Sequence, residues 1–363
     1  MTAARKETVL VFQTPWLTHV IENLVFLIGQ KPGRRILILT CRKDKAPAGS
    51  EHPGALARLE KLDFVEILTE DAPARDSDCL ILRLARGRFL WNGNLNAWAA
   101  RSRRLGLLSD YYYFKEGLKV RAAELIYNFP YWLKADFVIF QAGASTRSPY
   151  FFLKTKVFHS PYIHPQYLSD TGLMELLFQS VLPELSRKFR LTFIGNENPE
   201  ARCRILRDVE KVIQSFPDVV VHKNWHGELL APDKRHVLWI EYGDHDAARG
   251  LSPAEYAGML RESDFCLCPQ GWDYWTHRVA ESLLCGAVPI LEHEWIYNLP
   301  LENDRNCLLA GADGWGNVVR KALVAPESVC RTMRSEAVGM ASEYLNVSSM
   351  AAPLHELFAG PKL

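Results

Sequence analysis

The chain has 363 residues, with 43 basic against 42 acidic side chains and a formal net charge of +1. That length predicts two domains, each large enough to bury a core without disulfide or metal staples. The near-neutral balance excludes a global polyanion-binding role, and the 48% hydrophobic content excludes general disorder.

The first eight residues are polar, and the next apolar stretch is broken by Gln13, Pro15 and His19, so no secretory signal is expected. No run reaches the roughly 18 apolar residues of a spanning helix. Most of the eight cysteines sit inside apolar runs, where a thiol behaves as a small hydrophobe. Cys266 and Cys268 are read as buried strand residues rather than a metal pair. A reduced, cytoplasmic chain is expected.

In chain order, short β-rich runs appear at 9–13, 35–40, 63–68, 79–84 and 136–141. A second series follows at 190–194, 219–222, 237–241, 265–268 and 288–291. Helical patterns lie between many of them, at 17–28, 54–61, 117–126, 202–216, 253–261 and 275–285. Alternating strand and helix predicts an α/β fold with parallel sheets covered by helices. The unbroken apolar run Ile36-Leu37-Ile38-Leu39 fits a strand buried on both faces. A boundary is expected near residues 165–188, where a helical pattern ends at Pro183, giving a first domain, 1–185, and a second, 186–340. The tail, 341–363, reads as one or two helices interrupted at Pro353 and able to pack back on the first domain.

The most informative stretch runs from Ser263 to Leu291. Phe265 to Cys268 is buried-strand material, and Pro269-Gln270-Gly271 makes a turn. Arg278 to Cys285 is helical, Gly286 stops the helix in the left-handed conformation, and Val288 starts the next strand. Ligands of open α/β sheets bind beyond the carboxyl ends of the strands, where this turn lies. Arg278 and Glu281 are three apart, hence on one helical face. A guanidinium can fork onto a diphosphate while a carboxylate accepts from ribose hydroxyls. The plain alternative is a solvated ion pair.

Taken in order, these residues resemble a known signature. Phe265-Cys266-Leu267-Cys268-Pro269-Gln270-Gly271, then Arg278-Val279-Ala280-Glu281-Ser282-Leu283, then Gly286-Ala287-Val288-Pro289 is similar to the donor-side motif of exostosin-type glycosyltransferases, glycosyltransferase family 47. Upstream, Arg190 to Gly195 followed by Arg202 or Arg204 resembles the family's strand, Gly and Arg. The likeness covers about residues 189–300. It departs at Ser282 and Ala287, at His277, where a second Arg is common, and at Leu299-Pro300-Leu301.

The resemblance implies a GT-B fold, two Rossmann-like domains with parallel sheets facing across a cleft. It also implies an inverting, metal-independent transfer from a nucleotide-sugar, UDP-linked, to a glycan or glycolipid acceptor. No cofactor is expected, since the nucleotide-sugar is a co-substrate. The donor set is Gly195, Asn196, Arg202, Arg204, Pro269, Gln270, Gly271, Thr276, His277, Arg278 and Glu281. His19, after the first strand, is the candidate base for the acceptor hydroxyl, with Glu22 and Asp110 as alternatives. An enzymatic alternative is a fucosyltransferase-like enzyme using GDP-fucose, since Asp273-Tyr274-Trp275-Thr276 is similar to that family's Asp-Tyr-x-Thr. A third reading is a glycan-binding module without turnover.

Two further constellations carry chemistry. Gly243-Asp244-His245-Asp246 contains an Asp-x-Asp string, read as a solvated loop before a metal site. Residues 83–134 hold ten Arg or Lys against three acids, with eleven aromatics interleaved. That composition suits an acceptor groove or a peripheral membrane contact, with Trp91 and Trp98 as stacking candidates. Nucleic acid is disfavoured by overall neutrality.

Overall fold

A computed structural model describes residues 8–12, 19–40, 55–69, 72–84, 93–109, 131, 133–141, 157–160, 163, 167, 171–179, 181–196, 200–224, 227, 230–242, 251–271, 276–311 and 314–359. The chain divides into two compact units, Met1–Pro165 with Val347–Leu363, and Gln166–Asn346.

The first unit holds a seven-stranded, wholly parallel sheet. Its strands are β1 (Thr8–Phe12), β2 (Arg35–Thr40), β3 (Val65–Thr69), β4 (Cys79–Leu84), β5 (Leu105–Ser109), β6 (Phe137–Gln141) and β7 (Val157–Ser160). They lie in the order β3-β2-β1-β4-β5-β6-β7, so β1 is flanked by β2 and β4. This is a doubly wound, Rossmann-like order. Ile36 to Leu39 are fully buried, as a strand covered on both faces requires. The described helices are α1 (His19–Gly29), α2 (Ala55–Leu59) and α3 (Gly93–Arg101).

The second unit holds six parallel strands: β8 (Phe189–Asn196), β9 (Val219–His222), β10 (Arg235–Tyr242), β11 (Ser263–Leu267), β12 (Val288–Leu291) and β13 (Leu308–Leu309). Their order is β13-β12-β11-β8-β10-β9, so the winding reverses between β8 and β11. Its helices are α4 (Thr171–Phe178), α5 (Glu200–Gln214), α6 (Pro253–Arg261), α7 (Arg278–Leu284), α8 (Gly314–Val324) and α9 (Glu327–Tyr344). α6 begins with a full capping box, in which the Ser252 hydroxyl accepts from the Glu255 amide and Glu255 accepts from the Ser252 amide. α7 stops at Gly286, whose φ of 73° suits glycine.

The division between units falls after Pro165, at the early edge of the expected boundary zone and ahead of the 185/186 cut. Tyr167 and the end of α4 are stitched to α6: the Tyr167 hydroxyl donates to Pro253 O at 2.8 Å and Arg261 donates to Gln179 Oε1 at 2.7 Å. Pro183 ends a local pattern, but the packing that defines a unit lies outside any local window.

The chain ends in α10 (Val347–Ala359), which packs on α1 and β7 of the first unit. The Phe358 ring lies 5.8 Å from Phe137, and Arg34 donates to His355 Nδ1 at 3.0 Å. Pro353 does not interrupt this helix but sits inside it. A proline there forgoes one backbone hydrogen bond, a cost that the buried face of Met350, Ala351, Leu354 and Leu357 offsets. The break falls earlier, between α9 and α10. The expected helix at 117–126 lies outside the described residues, whereas β5, β7, β13, α3, α8 and most of α9 were not expected.

Candidate functional site

Three parallel strands of the second unit end side by side. β8 runs out at Gly195-Asn196, β11 at the Pro269-Gln270-Gly271 turn, and β12 at Glu292. β8 and β11 are neighbours across the point where the winding reverses, the position at which open α/β sheets bind ligands.

Two arginines converge there, Arg202 from the first turn of α5 and Arg278 from the start of α7. They are only 5% and 7% exposed. Arg278 Nε donates to Ile194 O at 2.9 Å, its Nη1 lies 3.5 Å from Thr276 Oγ1, and its guanidinium sits 5.6 Å from the Phe193 ring centre. Gly195 makes room for it: a Cβ at that position would fall 1.9 Å from Arg278 Nη2. The glycine at this strand end thus leaves room for the arginine beside it.

Arg202 is held from several directions. Its Nε donates to Gln270 O at 3.1 Å, and its Nη1 to Asn196 Oδ1 at 2.7 Å and Asn196 O at 3.2 Å. Burial, and then the nearby Arg278 guanidinium, push Arg202 down to about 9. It still carries its charge at neutral pH. Two like charges buried near one another repel; Glu292 favours the charged form of Arg202, and an anion between the two arginines would relieve both.

Glu292 was not anticipated. Its Oε1 accepts from the Gln270 amide at 3.1 Å. Burial pushes its carboxyl up to about 7, against the opposing pull of that amide, its own amide and Arg202. The available signal was a carboxylate directly after a buried strand, at the same sheet edge as Asn196 and Gln270. Tyr297 was missed too. It is a buried residue with φ of 57°, and its hydroxyl donates to Thr276 O at 3.0 Å, fixing the chain just before α7. No local pattern announces it.

The other expected donor residues divide. Asn196, Pro269, Gln270, Gly271 and Thr276 lie with the two arginines at this edge. Arg204 does not: its side chain is solvent-exposed and pairs with Glu200 at 2.7 Å. Glu281 is buried at 1% exposure, and its Oε2 is 3.9 Å from His277 Nε2. Cys266 and Cys268 are both buried in the strand end. Asp273, Tyr274 and Trp275 lie outside the described residues, as do Asp244, His245 and Asp246.

In the first unit, His19 opens α1, but its side chain, Trp91 and Asp110 lie outside the described residues. Glu22 faces Arg58, which donates to both its oxygens at 2.8 and 3.0 Å. A carboxylate gripped at both oxygens is badly placed to take a proton, which removes it as an alternative base. Trp98 is not a stacking surface: it is 0% exposed, within a cluster that includes Leu80, Leu82, Leu107 and Val138. Composition flagged the ring, but its position on α3 turns it inward. The described part of the basic stretch instead lines a cavity of about 640 Å³ with Arg103, Arg104, Lys134 and Tyr131. That cavity lies at the amino ends of β5 and β6, the edge opposite to the one where α/β sheets bind ligands.

Comparison with known proteins agrees with the motif. Residues 138–303 match the family model of the Exostosin GT47 domain. That segment is similar to exostosin-type domains. It is 38% identical over 72 residues to the Arabidopsis thaliana protein named Probable glucuronoxylan glucuronosyltransferase IRX7, covering 19% of this chain and 16% of that one. It is 32% identical over 107 residues to a protein of Oryza sativa subsp. japonica named Probable glucuronosyltransferase, covering 29% of this chain and 23% of the other. The chain thus matches only a small part of the length of these relatives. Among solved structures, Anabaena HepE in complex with UDP is similar with a TM-score of 0.59 at 12% identity, covering 96% of this chain and 98% of that one. Sucrose-phosphate synthase from Thermosynechococcus elongatus follows, with a TM-score of 0.57 at 11% identity and coverage of 97% and 98%. With the two Rossmann-like sheets, these likenesses show a GT-B fold.

Proposed function

We propose that this exostosin-like chain is a glycosyltransferase moving a sugar from a UDP-linked donor to a glycan or glycolipid acceptor. The observation that carries the reading is the pair of buried arginines, Arg202 and Arg278, at the switch point of the second sheet. In such a transfer the acceptor oxygen bonds to the anomeric carbon as the bond to the diphosphate oxygen breaks. The electron pair leaves with the nucleoside diphosphate, and the acceptor proton goes to a base. Negative charge grows on the leaving group, so cations already fixed in place lower the barrier. Arg202 is fixed by Gln270 and Asn196, and Arg278 by Ile194, through the protein's own hydrogen bonds. In this reading they supply the charge that a divalent ion would otherwise bring.

Inversion at the anomeric carbon and independence of metal are carried over from the family resemblance and belong to the proposal. So do Glu281 as the ribose acceptor, His19 as the base and a cytoplasmic location with a peripheral membrane contact through residues 83–134. Among the described residues no helix is long and apolar enough to cross a membrane. The relatives' names favour UDP-glucuronic acid as the first donor to try.

Calorimetric titration with UDP, GDP and CMP, followed by UDP release from UDP-glucuronic acid and UDP-glucose, tests this reading. Selective UDP binding and acceptor-dependent UDP release are expected. Tighter GDP binding with GDP-fucose turnover would replace it with the fucosyltransferase alternative. UDP binding without release under any acceptor would favour a glycan-binding module.

A further inference from the structure

The Gln270 peptide is gripped from both ends. Its C=O accepts from Arg202 Nε at 3.1 Å, and its N–H donates to Glu292 Oε1 at 3.1 Å. The turn that closes β11 is therefore strapped between α5 on one side and the end of β12 on the other. An amide so engaged is not the open phosphate donor that the turn's sequence suggests.

We propose that Glu292 is the positioning residue of the anion site, holding the Gln270 peptide in register with Arg202 and taking up a proton when the anion binds. The inference rests on the diphosphate reading above. Among the described residues, the groups that act on the charge of Glu292 are Arg202 from α5, the Gln270 amide from the β11 turn and its own amide. Arg202 in turn feels Arg278. A diphosphate drawn in by the two arginines brings negative charge towards Glu292. Like charge favours the neutral carboxyl, so the bound state holds a proton that the free state partly lacks. The sign follows: affinity is highest below the free-state value of about 7 and falls as pH rises through it. A neutral carboxyl still offers its carbonyl oxygen to the Gln270 amide, so the strap survives proton uptake.

Two substitutions separate geometry from charge. Glu292→Gln keeps an oxygen for the Gln270 amide and loses the titration. Glu292→Ala loses both. UDP affinity between pH 6 and 8 is read by calorimetry, and backbone hydrogen exchange across residues 266–271 is read without ligand. Wild type should bind UDP several-fold more weakly at the alkaline end. Glu292→Gln should bind like wild type at the acidic end and lack its Glu292-dependent decline. Glu292→Ala should bind about tenfold more weakly, as loss of one buried acceptor predicts. Exchange should rise in Glu292→Ala and stay low in Glu292→Gln. Unchanged exchange in Glu292→Ala, or the same pH profile in wild type and Glu292→Gln, overturns the proposal. If wild type binds no UDP while exchange still rises in Glu292→Ala alone, the diphosphate reading and the proton linkage fail, and the positioning role stands.

Discussion

The strands β8 and β11 bury charge at both ends, in opposite ways. At their amino ends, Arg190 Nη1 lies 3.0 Å from Asp264 Oδ2, and Arg334, 0% exposed, donates to Asp264 Oδ1. Arg334 also donates to Pro183 O at 3.0 Å, Leu185 O at 2.9 Å and Glu327 Oε1 at 3.2 Å. Opposite charges meet there, backbone carbonyls use the remaining donors, and the segment before β8 is tied to α9. At the carboxyl ends two guanidinium groups also lie near a carboxyl that burial pushes up, as it does Asp264, but Glu292 is bonded to the Gln270 amide and not gripped by the arginines as Asp264 is. The first arrangement is complete in itself, whereas the second invites an anion. Burial of a charge therefore does not mark a functional site. The sign of its neighbours does.

The sharpest way to break this contrast is at the completed end. Arg334→Ala leaves Asp264 buried with one cation and bares two carbonyls, and should cost about 3–5 kcal/mol. For a unit of this size that lowers Tm by roughly 10 °C, measurable by calorimetry. Whatever protein stays folded should keep UDP affinity near wild type. A large loss of affinity at unchanged Tm would reverse the roles assigned to the two ends.

Arg278→Ala is the mirror experiment. Loss of one fixed donor at a developing charge costs on the order of 3 kcal/mol, roughly a hundredfold in kcat. The same change removes repulsion from Arg202, so Tm should fall far less than in Arg334→Ala. Turnover close to wild type would end the assignment of Arg278 to the leaving group.

Gly195→Ala probes the site without touching a charge. Its methyl would collide with Arg278 Nη2 and push the guanidinium aside. A displacement of that kind near the reacting atoms should lower kcat roughly tenfold to a hundredfold. Circular dichroism should show an intact fold. Full activity would mean that Arg278 has room to shift without consequence.

These experiments follow the line between what local pattern carries and what it does not. The apolar run Ile36 to Leu39 and the strand at Phe265 are legible because a doubly covered strand needs unbroken hydrophobicity. The spacing of Arg278 and Glu281 is legible because helical phase is local. β13 is two residues long and has no period to read. Glu292 acquires its role through Gln270, 22 residues away in sequence. Trp98 was misassigned because composition counts rings without saying which way they face. Pro353 was misassigned because packing of its neighbours outweighs its local preference.

Arg202 and Arg204 give the smallest expected effect and the cleanest internal control. Two residues apart on a helix are turned about 200° from one another, so both cannot face the sheet edge. The sequence admits either. In the structure Arg202 points in, to Gln270 and Asn196, and Arg204 points to solvent, towards Glu200. Arg202→Ala should therefore weaken UDP binding and turnover together, because it removes a cation and also frees the Gln270 turn. Arg204→Ala loses only an exposed pair that solvent screens, and should leave UDP affinity and kcat unchanged. Calorimetry on the two proteins side by side decides the phase of α5. If Arg204→Ala were the damaging change, the helix would be turned the wrong way and the site rebuilt around the other face.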